Sequence, residues 1–409
     1  MTSKKISQIF KDTAYSRTGG SKEELRCAEY LVSKCAELGL SASIWSFPVD
    51  MANLKRAELY VDGKKIECKG YYLCGSGEVE AELLYLPDTD KFSLSRCNGK
   101  IVMVDGHLGY WTYQDILENG AVGFITYDGN ANYSDSDIDQ RELRSYFSNG
   151  RKILGVNINA KSAIAIVKSG AKTAKIIVEQ DEFEGESRNV IADMKGETDE
   201  TIVFTAHYDS TSLSEGAYDN MSGSVGLLGI AEYFSKRPHR YSLRFIWCGS
   251  EERGLLGSKA YVASLSEEEL KKTVLNVNLD MIGSIMGKFI ACCSSEDKLV
   301  HYIEYFAQQR GFGISCRQDV YSSDSTPFAD KGVPSLSFAR LAPSNTATIH
   351  NSYDTAKVMS PAQTARDIEF ICAFSDSMAN AARLPVSSEI PENVKKKLDY
   401  YLLREREKK

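Results

Sequence analysis

Five short stretches of this chain carry residue types that could hold metal ions. They are His207-Tyr208-Asp209-Ser210, Gly216-Ala217-Tyr218-Asp219-Asn220-Met221-Ser222-Gly223, Gly249-Ser250-Glu251-Glu252-Arg253-Gly254, Asp280-Met281-Ile282-Gly283 and Ile349-His350-Asn351-Ser352-Tyr353-Asp354-Thr355. Two imidazoles and several carboxylates form a borderline-hard donor set, suited to zinc, cobalt or manganese and not to copper(I). A single carboxylate bridging two ions roughly 3.5–4 Å apart would make the arrangement of a two-metal hydrolase. Each stretch also has a plain structural reading. A Glu-Glu pair is usually a solvated face, and an Asp ahead of a helix, as at Asp219, is usually an N-cap. What favours chemistry is that all five fall at the ends of strand-like runs, where open α/β sheets place ligands.

The elements behind these stretches follow from pattern. Residues 21–39 have helical apolar spacing through Leu25, Ala28, Leu31, Cys35 and Leu38, with Gly39 as a stop. Residues 41–49 read as a strand. From 185 onward strands and helices alternate: 201–206, 242–248 and 274–279 are buried strands, and 220–235 and 255–265 are helices. This pattern indicates an α/β three-layer sandwich whose mixed central sheet is mostly parallel. Between 50 and 184 the texture changes to short strands and turns, such as 57–61 before Asp62-Gly63 and 100–104 before Asp105-Gly106. No metal ligands or nucleophile gather in that block, and its polar run 128–140 reads as a surface loop. It is expected to be a small, mainly β domain inserted into the other, serving as a lid or as a spacer. The organisation is therefore 1–49 with 185–385, an insert at 50–184, and an amphipathic C-terminal helix at 386–409 that docks on the chain or forms a dimer contact.

Composition narrows the function. The chain has 409 residues, 49 Lys+Arg against 56 Asp+Glu and a net charge of −7, which argues against an electrostatic grip on nucleic acid. No stretch approaches the roughly 20 apolar residues of a membrane span. Residues 1–10 hold no apolar run of the kind a signal peptide needs, so the expected location is cytoplasmic. Ten cysteines fall in no metal-binding spacing and read as reduced packing residues. With only five histidines, a metal enzyme built here must lean on carboxylates.

The ordered set HYDS (207–210), GAYDNMSG (216–223), EERGLLGS (251–258), NLDMIG (278–283) and IHNSYDT (349–355) resembles the di-zinc aminopeptidase family, which has relatives among glutamate carboxypeptidases and glutaminyl cyclases. The resemblance covers about residues 6–48 and 185–385. Block 50–184 resembles the protease-associated domain that interrupts some members, through Asn98-Gly99-Lys100-Ile101-Val102-Met103-Val104 and Gly120-Ala121-Val122-Gly123-Phe124-Ile125.

By position, the resemblance implies that Asp219 bridges two Zn2+ ions, with Co2+ or Mn2+ as substitutes. Glu252 and His350 would complete one ion, and His207 and Asp280 the other. It implies Glu251 as general base and acid, Asp209 as the partner of the second ring nitrogen of His207, and a cis peptide at Asp219–Asn220. One departure is Ser325 within Ser323-Asp324-Ser325-Thr326-Pro327-Phe328, where the family often has His. Tyr321 is a candidate donor to the developing oxyanion.

The implied reaction is removal of the N-terminal residue of a peptide with a free amine, by a water held between the two ions. The protein is expected to be a possible homo-oligomer. Three rivals stand beside this reading. A carboxypeptidase would need cations for a terminal carboxylate, for which Arg340 and Arg253 are candidates. A glutaminyl-cyclase-like transferase would use one zinc. A binding protein would have kept the fold and lost catalysis.

Overall fold

The computed structural model describes residues 1–106, 108–129, 138–343 and 346–406. The chain divides into two units, Met1–Phe47 with Glu186–Lys409 and, between them in sequence, Pro48–Gly185.

In the first unit the β-branched and apolar run of strand Thr201–His207 is buried along nearly its whole length, as expected of a strand covered on both faces. Parallel neighbours flank it, Ser242–Cys248 on one side and Thr273–Leu279 on the other, and Ser335–Leu341 pairs parallel with Thr273–Leu279. Beyond these four, Lys288–Ser294 runs antiparallel to Ser335–Leu341 and is followed by Ser315–Gln318. At the other edge, residues 190–194 run antiparallel to Ser242–Cys248.

Alternation along the strands feeds two helical layers. Ile202, Phe204 and Ala206 face one core with Phe245 and Trp247, where helices Ser3–Asp12, Lys22–Glu37, Ser222–Phe234 and Pro361–Ala379 bury their apolar sides. Val203, Ile246 and Cys248 face another core, closed by Tyr261 and Val262 of helix Leu256–Ser264 and by Phe328 of helix Ser325–Asp330. The unit is thus helix–sheet–helix.

The parallel centre has a functional consequence. Ser242–Cys248, Thr201–His207 and Thr273–Leu279 are adjacent and run the same way, so they end side by side. Cys248 pairs with His207, and Asn278 with Thr205. The residues that follow each strand therefore emerge on one rim.

The second unit pairs Gly77–Leu86, Ile101–Val104, Gly123–Asp128 and Leu154–Asn159 in parallel. Residues 77–82 also run antiparallel to 173–178. It carries more helix than the sequence reading allowed, notably Tyr110–Glu118 and Ala160–Ser169. Those helices are short and bury only a few residues each, Tyr113, Asp115 and Ile116 in one and Ala160, Ala163 and Ile166 in the other, so their apolar stripe is faint in the sequence. Most of the polar run at 128–140, residues 130–137, lies outside the described residues.

All ten cysteines are free thiols. Among the described residues no helix is long and apolar enough to cross a membrane. The C-terminal helix Glu392–Tyr401 docks within the chain: Val394 and Leu398 pack with Ile390 and with Ala329 of helix Ser325–Asp330. Replacing Leu398 with Ala should therefore cost about 2–3 kcal/mol of stability, read as a lower urea midpoint. An unchanged midpoint would show that the contact carries no load.

Candidate metal centre

Three of the sequence-derived ligands sit just at or beyond the three adjacent strand ends. His207 is the last residue of its strand, and its carbonyl accepts from Ser224 Oγ at 2.8 Å. Asp280 follows Thr273–Leu279, its amide donating to the Phe338 carbonyl at 3.0 Å. Glu251 and Glu252 lie in the turn after Ser242–Cys248, which passes through a left-handed Ser250 (φ +53°).

Asp219 occupies a wide helical turn, Ala217–Met221, ahead of helix Ser222–Phe234, and the Asp219–Asn220 peptide is cis. The N-cap reading of Asp219 fails, because the helix starts three residues later and the Asp219 carboxylate points elsewhere. Its Oδ1 lies 3.1 Å from His207 Nε2, and its Oδ2 lies 3.1 Å from His350 Nε2. His350 Nε2 is also 3.0 Å from Glu252 Oε2. His207 Nε2 is 3.8 Å from both Glu251 Oε2 and Asp280 Oδ1.

The local sequence explains how the turn is held. Asn220 Nδ2 donates to the Leu279 carbonyl at 2.9 Å, while its Oδ1 accepts from the amides of Gly223 and Met281 at 2.8 and 3.0 Å. One amide side chain thereby fastens the Asp219 turn to the strand end that bears Asp280. Gly223 is required by close approach, since a Cβ there would meet the Leu279 carbonyl oxygen at 2.2 Å.

Asp209 is fully buried. Its Oδ1 lies 3.4 Å from His207 Nδ1 and also accepts from the Glu251 amide at 3.0 Å, while Oδ2 accepts from the Glu252 amide at 3.2 Å. It therefore orients the Glu251–Glu252 turn at least as firmly as it orients the imidazole.

The donor set fits cations. His207, Glu251 and Asp280 offer ligand atoms within 4.8 Å of one another, as do Asp219, Glu252 and His350. Among the described residues Asp280 Oδ1 is buried with no hydrogen-bond donor, a costly condition that a positive charge relieves. The electrostatics agree. Burial pushes the Glu251 carboxyl well above its ordinary range, with Asp324, Glu252 and Asp280 adding and His207 opposing. Burial opposes charge on His350, yet Glu252 and Asp219 outweigh it and hold the imidazole at about 11. Burial also works against the Asp219 charge, but His207 and His350 hold that carboxylate well below its usual range. So many carboxylates in one buried spot call for counter-charge, which imidazolium or a metal ion can supply.

The chain is similar to several known proteins. Residues 189–375 match Peptidase family M28. Aminopeptidase YwaD of Bacillus subtilis (strain 168) is 28% identical over 340 residues, covering 79% of this chain and 71% of that protein. The solved structure of BSAP, a zinc aminopeptidase from Bacillus subtilis, superposes with a TM-score of 0.78 at 25% identity, over 96% of this chain and 97% of that one. The aminopeptidase from Aneurinibacillus sp. strain AM-1 gives 0.76 at 25% identity, over 95% and 96%.

The remaining candidates divide. Tyr321 is largely buried and its hydroxyl has no hydrogen-bond partner among the described residues. Burial, then the Asp280 and Asp219 carboxylates, push its phenol well up, so it stays a proton donor near the candidate ligands. Arg340 has a structural task. Its Nε and Nη2 bind Asp367 at 2.8 and 2.6 Å and Nη1 donates to the Gly287 carbonyl at 2.8 Å. A buried carboxylate on helix Pro361–Ala379 has claimed the guanidinium, leaving it unavailable to a substrate carboxylate. Arg253 Nη1 donates to the Gly19 carbonyl at 3.4 Å. Ser325 bonds Ser337 Oγ at 2.9 Å, in a polar network between strands.

Sequence reasoning assigned no role to three buried carboxyls around the site. Asp324 and Asp354 each rise to about 7, in both cases mainly through burial. They lie inside stretches already singled out, which was the available signal. Glu24 lies far away in sequence, on helix Lys22–Glu37, yet its Oε1 accepts from Ser187 Oγ at 2.5 Å, and Ser187 Oγ meets Ser250 Oγ at 2.8 Å, next to Glu251.

Burial raises Glu24 from an ordinary 4.5 to about 8. The folded state therefore binds a proton that the unfolded chain has released, and stability declines as pH rises from about 5 to about 8. Glu24→Gln should flatten that decline by up to about 1 kcal/mol per pH unit. Urea unfolding at pH 5, 6.5 and 8 would measure it, and equal slopes for the two proteins would refute it.

Proposed function

We propose that this protein is a di-zinc aminopeptidase that removes the N-terminal residue of peptides, with Glu251 as general base and acid. The enzyme class, zinc metallo-aminopeptidase, is that of its M28 relatives. The observation that carries the finer reading is the division of Asp219, one oxygen toward His207 and the other toward His350. That division supports a bridging carboxylate between two sites, with His207 and Asp280 on one side and Glu252 and His350 on the other.

When bound, the ions would polarise the scissile carbonyl and acidify water enough for attack at neutral pH. Glu251 then takes one proton from the attacking water at a carboxylate oxygen and delivers it to the peptide nitrogen. The C–N bond breaks, leaving the carboxylic acid product and a new free amine. Burial among other carboxylates makes Glu251 a better base than an exposed glutamate. Asp209 holds the Glu251 amide so that the carboxylate keeps its aim. The Tyr321 hydroxyl, otherwise without a partner, is available to the oxygen that gains negative charge.

Two features favour an aminopeptidase over a carboxypeptidase. The site's excess of carboxylates attracts the substrate's free ammonium group, and Arg340 is committed to Asp367. Glu251 also lies within ligand range of His207 and Asp280, so its part in proton transfer needs a test that separates the two roles. Glu251→Gln should keep its zinc content and lose about 10²–10⁴-fold in turnover of aminoacyl-nitroanilides. Loss of zinc would instead make Glu251 a ligand, and near-normal turnover would remove it from the mechanism. A peptide with a blocked N-terminus should resist the wild-type enzyme while its unblocked twin is shortened from that end. Shortening from the C-terminus would reverse the assignment.

A further inference from the structure

Each histidine of the metal centre is followed by a buried aspartate that grips the backbone of another loop. Asp209, two residues after His207, takes the consecutive amides of Glu251 and Glu252. Asp354, four residues after His350, takes the consecutive amides of Tyr218 and Asp219, at 2.7 Å on Oδ1 and 3.0 Å on Oδ2. Both aspartates are fully buried. The two loops bearing histidine are thus cross-braced to two of the three segments bearing the candidate carboxylate ligands.

The two braces are not equivalent. On the His207 side other bonds also fix the ligands: Ser224 holds the His207 carbonyl, Phe338 the Asp280 amide, and Asn220 ties the Asp219 turn to the strand end before Asp280. The turn ahead of Asp219 has its own anchor in the fully buried Arg17, whose guanidinium donates to the carbonyls of Tyr208, Glu215 and Gly216. On the other side, His350 sits at the left-handed φ of +60° with its side chain partly exposed. Asp354 spans from its loop to the amide of Asp219 itself.

We propose that Asp354 is a positioning residue that sets the separation of His350 from Asp219, and through it the affinity of the Asp219–Glu252–His350 site for its ion, selectively over the His207–Asp280 site. The inference rests on the two-ion reading above. Among the described residues the hydrogen bonds to Asp354 come from backbone amides, those of Tyr218 and Asp219. Changing it to Asn keeps the size but turns one acceptor into an N–H donor facing an N–H, so the brace opens at one end. Supporting groups of this kind typically change metal affinity by 10–100-fold.

The test is titration of metal-free protein with Co2+, following the visible absorption of the bound ion, with affinities from competition against a chelating dye. Wild type should show two binding classes, and His350→Ala identifies which one belongs to the second site. Asp354→Asn should weaken that class alone by 10–100-fold, leaving the other within about twofold. Asp354→Glu, which keeps the charge but displaces the acceptors by one methylene, should weaken the same class to a smaller extent. If Asp354→Asn fails to fold, the Asp354→Glu titration decides by the same criterion. Unchanged affinities, or equal losses in both classes, would overturn the brace while the two-ion reading stands. A wild-type protein that binds a single Co2+ would overturn the two-ion reading, and the brace with it.

Discussion

One buried carboxylate shared between two imidazoles is the constraint on which the rest of the centre depends. Asp219 can meet His207 and His350 at once only if a strand end, a helix start and a distant loop are held to within a fraction of an ångström. Nothing about that arrangement is favourable for the backbone alone. It collects Asp219, Glu251, Glu252 and Asp280 in one largely dry space, where like charges repel and desolvation is expensive. Imidazolium or metal charge compensates, and a rigid frame keeps the groups from relaxing apart.

The frame is the parallel centre of the sheet. Parallel strands that lie side by side end on the same rim, so residues separated by tens of positions arrive together without long connecting loops. Apolar residues such as Ile202, Phe204, Phe245 and Trp247 hold that register from one face, and Val203, Ile246 and Phe328 from the other. Packing energy from the two cores thereby pays for the polar crowding at the rim. Buried polar groups transmit the order to the ligands: Asn220, Asp209 and Asp354 each satisfy two backbone amides on segments that bear ligands.

Much of this was readable from the chain. The strands at 201–206 and 242–248, the helix at 21–39 and the five candidate stretches all follow from strong local patterns, a continuous apolar run or a 3.6-residue period ending in a polar motif. The helices of Pro48–Gly185 were missed, because segments such as Tyr110–Glu118 bury few side chains and leave a weak period. The partner of Arg340 was not legible, because Asp367 lies 27 residues away in a helix with no marker of its own. Glu24 escaped notice for a similar reason, since its contact with Ser187 spans 163 residues.

By itself the sequence determined the alternation of elements and the stretches in which imidazoles and carboxylates could gather, because these rest on residue type and short-range spacing. Tertiary structure alone decided how Asp219 divides its two oxygens, that Arg340 serves Asp367, that the C-terminal helix folds back on its own chain, and that Asp354 braces the turn before the first helix residue at Ser222. Those outcomes depend on which groups meet across long separations in a buried setting. There a hydrogen bond or an ion pair is satisfied by whatever packing brings near, and local pattern carries no trace of it.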